Sequence, residues 1–330
     1  MAIEATDLKL LKSATVNDGL ANGGRMSTNE IVSNVPTNLF PNVTQAERTA
    51  GITRYRKFFS KLHDDGDEVL YNHKVWVKKQ TPAADSLYIK VGTNTDTQAE
   101  ADDYTDWLGC GRLNASANAD ATSVEVLFED DGLGISTGDK AWLSDGTNEE
   151  FVEVSGVSFV DATATITLAS GLTYSYAAYD PAAQVWFAGY EDLSDTTSSI
   201  DSFVLTGASN TYDGSKFHTY NEGTIEDDWE LEIEAGDATY KMTGIIAGEI
   251  ATAQTKAAQK SFSNPSYSGS QGYYFSMDAS ALTGTWIAGE KLNFSTHHAA
   301  KAMWAKEIVT AGTASYSNNN PEIRVSGESA

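Results

Sequence analysis

Cysteine is almost missing from this 330-residue chain: Cys110 stands alone. One thiol cannot build an internal disulfide framework or a thiolate metal cage, so folding in a reducing cytosol is the simplest expectation. Long apolar runs are missing too. The longest fall far short of the roughly 20 residues needed to span a bilayer, and the opening MAIEATDLKLLKSATVNDG has no apolar export core, so neither a membrane nor an export route is expected. Cations are scarce: 22 Lys plus Arg against 46 Asp plus Glu leave a formal charge of -24. Such a surface repels phosphate backbones and anionic lipid, which argues against nucleic acid and membrane and leaves other proteins as partners. Apolar content is ample, at 41% with 10% aromatic, so the chain can bury a core and wholesale disorder is excluded.

From about Ile52 onward, apolar residues alternate with polar ones between Gly, Asp, Asn, Ser and Thr clusters, the pattern of short half-buried strands. The reading is all-β. Expected strands are Arg54 to Phe59, Val69 to Lys79, Leu87 to Val91, Thr122 to Phe128, Lys140 to Ser144, Glu150 to Val157 and Ala164 to Ala169. They continue at Gln184 to Tyr190, Ser202 to Leu205, Asp228 to Glu234, Ala238 to Gly244, Tyr273 to Met277, Lys291 to Thr296 and Ala302 to Val309. The one good helix candidate is EIATAQTKAAQKSF, Glu249 to Phe262, which has helix propensity and a weak apolar face.

Composition divides the chain further. Residues 1–50 are rich in Asn, Thr, Ser and Gly and read as an extended N-terminal arm, either lying on a neighbour or folded back on its own domain, with Leu39, Phe40 and Pro41 as the natural anchor. A Gly-, Asn- and Ala-rich hinge after Cys110 and a break at Pro181 set off residues 111–183 as an inserted small β-barrel-like domain. Residues 51–110 and 184–330 would then form a discontinuous β-sandwich main domain, and an insert with its own core should be removable without unfolding it.

Chemistry-bearing motifs are absent: there is no nucleophile elbow, Walker loop, dinucleotide fingerprint, HExxH helix or EF-hand loop. No catalytic residue, cofactor or metal site is expected. His297 and His298 are adjacent, so on a strand they point to opposite faces and are badly placed to share a metal. The acidic clusters HDDGDE (His63 to Glu68), EADDYTD (Glu100 to Asp106), EDDG (Glu129 to Gly132) and EDDWE (Glu226 to Glu230) could offer oxygens to calcium but equally suit solvated hairpin turns. Exposed aromatics could stack on sugars, which keeps a carbohydrate-binding module in view. Trp76, Trp186, Trp229, Trp286 and Trp304 lie in or beside expected strands with apolar neighbours, which favours the core for them.

Taken in order, GGRM (Gly23 to Met26), Glu30-Ile31-Val32, NLFP (Asn38 to Pro41), ERTAG (Glu47 to Gly51) and RKFF (Arg56 to Phe59) resemble the N-terminal signature of a family of virion structural proteins of tailed bacteriophages, encoded in the head and neck assembly module. The stretch AGEKLNFSTHHAAKAMWAKEIVTAGTAS, Ala288 to Ser315, is similar to that family's closing strands. The resemblance implies a non-enzymatic virion component assembled in the host cytoplasm, with the neck or collar as the leading position. A capsid decoration protein, a tail or baseplate protein, and a carbohydrate-binding adhesin follow as alternatives. Implied partners are copies of the chain in a ring or other symmetric assembly, and portal, connector, capsid or tail proteins. Contacts between like-charged copies should be apolar with carboxylates at the rim, and Leu39, Phe40 and Pro41, then Arg25 with Met26 beside it, are the expected assembly residues.

Overall fold

Leu8-Lys9-Leu10-Leu11-Lys12 already carries enough apolar side chains to pair with a sheet, and the sheet begins there. The computed structural model describes residues 2–329 apart from residues 84, 131, 183, 208, 209, 237 and 318. Strand β1 (Leu8–Thr15) is followed by β2 (Gly23–Glu30), the short helix α1 (Gln45–Ala50) and β3 (Ile52–Leu62). β1 pairs antiparallel with β3 from Leu8 opposite Leu62 to Lys12 opposite Phe58, and β2 pairs with β1 through two register shifts. The stretch expected as an extended arm therefore contributes two strands, because Leu11 and Met26 cover Phe59 on one face of β3.

Next come β4 (Tyr71–Lys79), β5 (Asp85–Val91), the single turn α2 (Gln98–Ala101), β6 (Leu108–Leu113), β7 (Ser123–Leu127), β8 (Lys140–Ser144), β9 (Glu149–Val160), β10 (Thr163–Leu168) and β11 (Trp186–Asp192). In the order β6-β7-β10-β9-β8-β11 they close into a six-stranded antiparallel barrel, because β11 also pairs with β6, Trp186 facing Arg112 and Ala188 facing Cys110. Alternation drives closure: Val124, Val126, Val152, Val154, Ala164 and Ile166 point inward and are buried, while Glu125, Glu153, Ser155 and Thr165 between them are exposed. Residues 111–183, expected as an insert, supply four of the barrel's strands, and β6 and β11 at its borders complete the wall. Its core is also continuous with that of the surrounding sheet: Val126 and Ile166 belong to the same buried cluster as Phe58, Val75, Val77, Ile89 and Met303.

The chain then builds a second lobe from β12 (Ser199–Leu205), β13 (Asn210–Tyr212), β14 (Phe217–His218), β15 (Asp227–Ala235), β16 (Thr239–Gly244), β17 (Gly248–Thr255), β18 (Lys260–Ser263), β19 (Tyr273–Met277), β20 (Leu282–Gly284) and β21 (Lys291–His297). A five-stranded sheet, β12-β21-β15-β16-β17, faces the small sheets β13-β20 and β14-β19-β18 across a core of Trp229, Leu231, Ile233, Phe275, Trp286 and Phe294. The helix expected over Glu249 to Phe262 is not formed: β17 and β18 occupy that stretch. Its weak apolar face offers a helix little to bury, whereas strand pairing sets Ala251 opposite Met242 and lets Ile250 and Ala251 pack on the lobe's core. Finally β22 (Ala300–Val309) returns between β3 and β5, and β23 (Glu322–Glu328) adds to β4, so one 13-stranded sheet runs from β2 at one edge to β23 at the other.

The lobes meet at a polar junction. Asn221 is fully buried and accepts from the Ser198 N–H (2.8 Å), donates to the Glu68 carbonyl (2.7 Å), and accepts the Lys61 ammonium on its own carbonyl (2.7 Å). Burial pushes the Lys61 ammonium down to about 7, against the opposing pull of Glu222. His298 beside it is pushed down to about 3 by burial and then by Lys61, and His73, buried between Ser60 and Thr196, down to about 4 by burial and then by Lys301.

Two outcomes follow from this architecture. Deleting Leu113 to Pro181 with a Gly/Ser bridge strips the cover from one continuous core. Each large apolar side chain exposed costs about 1.5–3 kcal/mol, against a typical total of about 5–15 kcal/mol, so cooperative thermal unfolding should be lost. Acid should also destabilise the fold. A histidine whose folded pKa is depressed contributes stability that is complete above its unfolded value of about 6.5 and lost as pH falls through the folded value. Urea unfolding should therefore show stability dropping from about pH 6.5 toward 4, and more shallowly in a His73→Gln/His298→Gln variant.

Candidate assembly surface

The side chains expected to mediate assembly are placed by β2 and the loop after it. Gly23 opens β2 at φ +106°, and a Cβ there would lie 2.7 Å from the Trp304 ring and 2.9 Å from the Asp96 carbonyl, so only glycine fits. This close approach seats the start of β2 against Trp304 of the main sheet. The Arg25 guanidinium then donates to the Glu226 carbonyl at 3.1 Å, and half-buried Met26 packs with Leu11, Phe59, Ala300 and Ala302. Both residues are engaged within one copy of the chain.

Leu39 and Phe40 fold back in the same way. Half-buried, they pack against the main core, and the Phe40 ring lies 5.7 Å and 5.5 Å from the guanidinium carbons of Arg54 and Arg56. Those arginines are fixed in turn: Arg54 Nε donates to Glu307 at 2.6 Å and Arg56 pairs with Asp18 at 2.7 Å. Pro41 is exposed and leads into α1, whose Thr44 and Glu47 form a reciprocal capping box at 2.6 and 3.2 Å. Within this segment Val32 and Val35, each about half exposed, are the apolar side chains left facing solvent. The structure thus seats Phe40 over the arginines of β3, packs Leu39 on the main core, and sets Arg25 and Met26 on β2 apart from them.

The acidic turns have structural partners. Asp64 accepts the Glu68 N–H, Asp67 the Asn221 N–H, and Asp130 the hydroxyls of Ser86 and Tyr88. Asp227 accepts the N–H groups of Ile246 and Ala247, each at 2.9 Å. His297 and His298 part company as alternation requires: His297 bonds Glu226 (2.8 Å) and Asp201 (3.3 Å), which raise its pKa against the effect of burial, while His298 is buried. Among the described residues no group of three or more His, Cys, Asp or Glu is placed to hold a metal ion.

Sequence reasoning missed two kinds of residue. One is Asp96, which lies outside every acidic cluster yet pairs with buried Lys57 at 2.6 Å. The other is apolar exposure at turns and strand faces: Ile245 is 75% and Phe151 45% exposed. The segment GIIAG, Gly244 to Gly248, did carry a signal, since a hairpin turn ordinarily holds polar residues. Comparison with protein families, curated proteins and solved structures finds no match to this chain.

Replacing Phe40 with Ala removes a ring shared by two arginines, so the isolated monomer should lose about 1–3 kcal/mol in denaturant unfolding. An unchanged monomer with weakened assembly would instead put Phe40 between copies.

Proposed function

We propose that the chain is a non-enzymatic structural protein of a tailed-bacteriophage virion, positioned in the neck or collar where head joins tail and working through contacts between its own copies. The observation that carries this reading is the 13-stranded sheet, whose two edges are β2 and β23, the second and the last strand of the chain. An edge strand presents unpaired backbone N–H and C=O groups to any chain that can continue the ladder. Both edges are irregular, with register shifts in the β2–β1 and β23–β4 pairings, which suits a selective partner better than open-ended addition. Capsid decoration and tail or baseplate positions draw on the same surface and differ only in place. A carbohydrate-binding adhesin is less well supported, because Trp76, Trp229, Trp286 and Trp304 are buried and offer no stacking platform.

Gold-labelled antibodies against the chain, applied to native particles in the electron microscope, should mark a ring at the head–tail junction. Label on the capsid surface or fibre tips would move the protein to one of the alternatives, and a complete lack of label together with absence from the particle's protein bands would refute the virion assignment.

A further inference from the structure

Two apolar features of the surface are built rather than incidental, and they sit on different lobes. The first is the turn joining β16 to β17. The carboxylate of Asp227, itself 4% exposed, holds the turn by accepting two of its N–H groups, and the Ile245 N–H donates to the Asp228 carbonyl at 3.0 Å. The effect is to fix Ile245 and Ile246 in solvent, 75% and 49% exposed. Beside Ile245, on the outer face of the five-stranded sheet, lies a shallow open recess of about 460 Å³ lined by Asp228, Glu230, Thr243, Asn293 and Ser295, with Glu230 paired to Lys291 at 2.9 Å. Exposed Glu249 is the second residue of β17, opposite Thr243.

The second feature lies on the outer face of the barrel. Phe151 stands 45% exposed over Tyr190 and Trp76, with ring centroids 5.3 and 5.9 Å away. Cations gather around it in an otherwise acidic chain. The Lys74 ammonium is 5.4 Å from the Phe151 ring, Arg324 stacks 5.3 Å from Trp76, and Lys140 stands directly across from Tyr190. Lys140 and Arg324 pair with Asp192 and Glu149, whereas Lys74 donates to the Asn72 carbonyl.

We propose that these two features dock on each other between copies: Phe151 of one copy enters the recess beside Ile245 of the next, and Lys74 meets Asp228 and Glu249 at the rim. The inference rests on the assembly reading above and adds to it a side-chain contact away from the sheet edges. Charge complementarity selects a second copy, since Asp228 and Glu249 beside the recess oppose most of this chain's own acidic surface and favour its aromatic face bearing Lys74. An apolar centre within a charged rim is also the ordinary layout of a specific interface. Because the two surfaces differ, the contact is head-to-tail, and its repetition closes a ring or extends a filament.

Cysteine cross-linking tests the contact directly, because the native Cys110 is buried at 1% exposure and stays out of reach. Chains carrying Phe151→Cys and Ile245→Cys, co-expressed and oxidised, should give a cross-linked dimer containing one of each, and neither variant alone should give more than about a tenth as much. Phe151→Asp and Ile245→Asp should each weaken assembly about tenfold or more in sedimentation; Ile245→Asp should leave the melting temperature unchanged, whereas Phe151→Asp also loses its ring contacts with Tyr190 and Trp76 and should melt lower. Lys74→Glu should weaken it too, and adding Glu249→Lys should restore it. Wild-type chains that stay monomeric at about 100 µM, or assembly that persists in both Asp variants, would overturn this contact. The second result would leave the virion assignment standing, whereas absence from particles would remove that assignment whatever the cross-link showed. Oligosaccharide binding lost in Ile245→Asp without any change in assembly would give the recess to a glycan instead.

Discussion

The ion pair between Lys57 and Asp96 holds the main sheet to the segments around it. Lys57 is fully buried on β3, and its ammonium lies 2.6 Å from the Asp96 carboxylate while donating to the carbonyl of Gly24 at 2.7 Å. The same carboxylate accepts the Trp304 indole N–H at 2.7 Å and the Tyr104 hydroxyl at 2.5 Å. Burial pushes the lysine down and the carboxyl up. Around Asp96 the hydrogen bonds from Lys57, Tyr104 and Trp304 outweigh burial and hold its carboxyl below the usual range. Losing one member would strand a charge at a cost of about 3–5 kcal/mol, a large part of what stabilises a typical domain. Lys57 stands directly opposite Trp304 in the ladder, so the first long strand, the last but one, the N-terminal hairpin and the loop before α2 depend on one cluster.

That cluster also accounts for the short segments at the two ends of the sequence. GGRM supplies Gly23 and Gly24, RKFF supplies Lys57, and the closing stretch supplies Trp304, and all of them converge on Asp96. Residues far apart in the chain are thus brought together by packing. Residues that meet in such a cluster mark how a fold is held, and they carry no information of their own about where that fold sits in an assembly.

The all-β class was legible because period-two alternation is strong wherever one strand face is buried, as in Val124-Glu125-Val126 or Trp229-Glu230-Leu231. Three features were hidden for physical reasons. The stretch holding β17 and β18 reads as a helix because Ala, Gln and Lys have helix propensity, and pairing with β16 overrides it. β2 reads as an arm because Gly-Gly-Arg-Met-Ser-Thr alternates weakly, and its place depends on a tryptophan near the other end of the chain. A barrel was legible over residues 111–183, but the strands that close it were not, because the pairing of β11 with β6 leaves no trace in local pattern. At the candidate surface, Phe40 was visible as an anchor, but a sequence cannot say whose arginines receive it; the structure supplies Arg54 and Arg56 of the same copy.

Closure of the barrel and openness of the sheet belong together. Rolling β6 to β11 into a cylinder removes the edges that this stretch would otherwise expose, so the free edges of the 13-stranded sheet are β2 and β23. Like-charged chains repel over a Debye length of about 8 Å at physiological ionic strength, so they can associate only where backbone or apolar contact outweighs the field. Many acidic side chains are committed within the fold, Asp227 to a turn, Asp130 to two hydroxyls and Glu307 to Arg54, and such carboxylates are less free to swing into a contact. The remaining surface charge then acts mainly as a filter, opposing every approach except those that present cations or an unpaired strand.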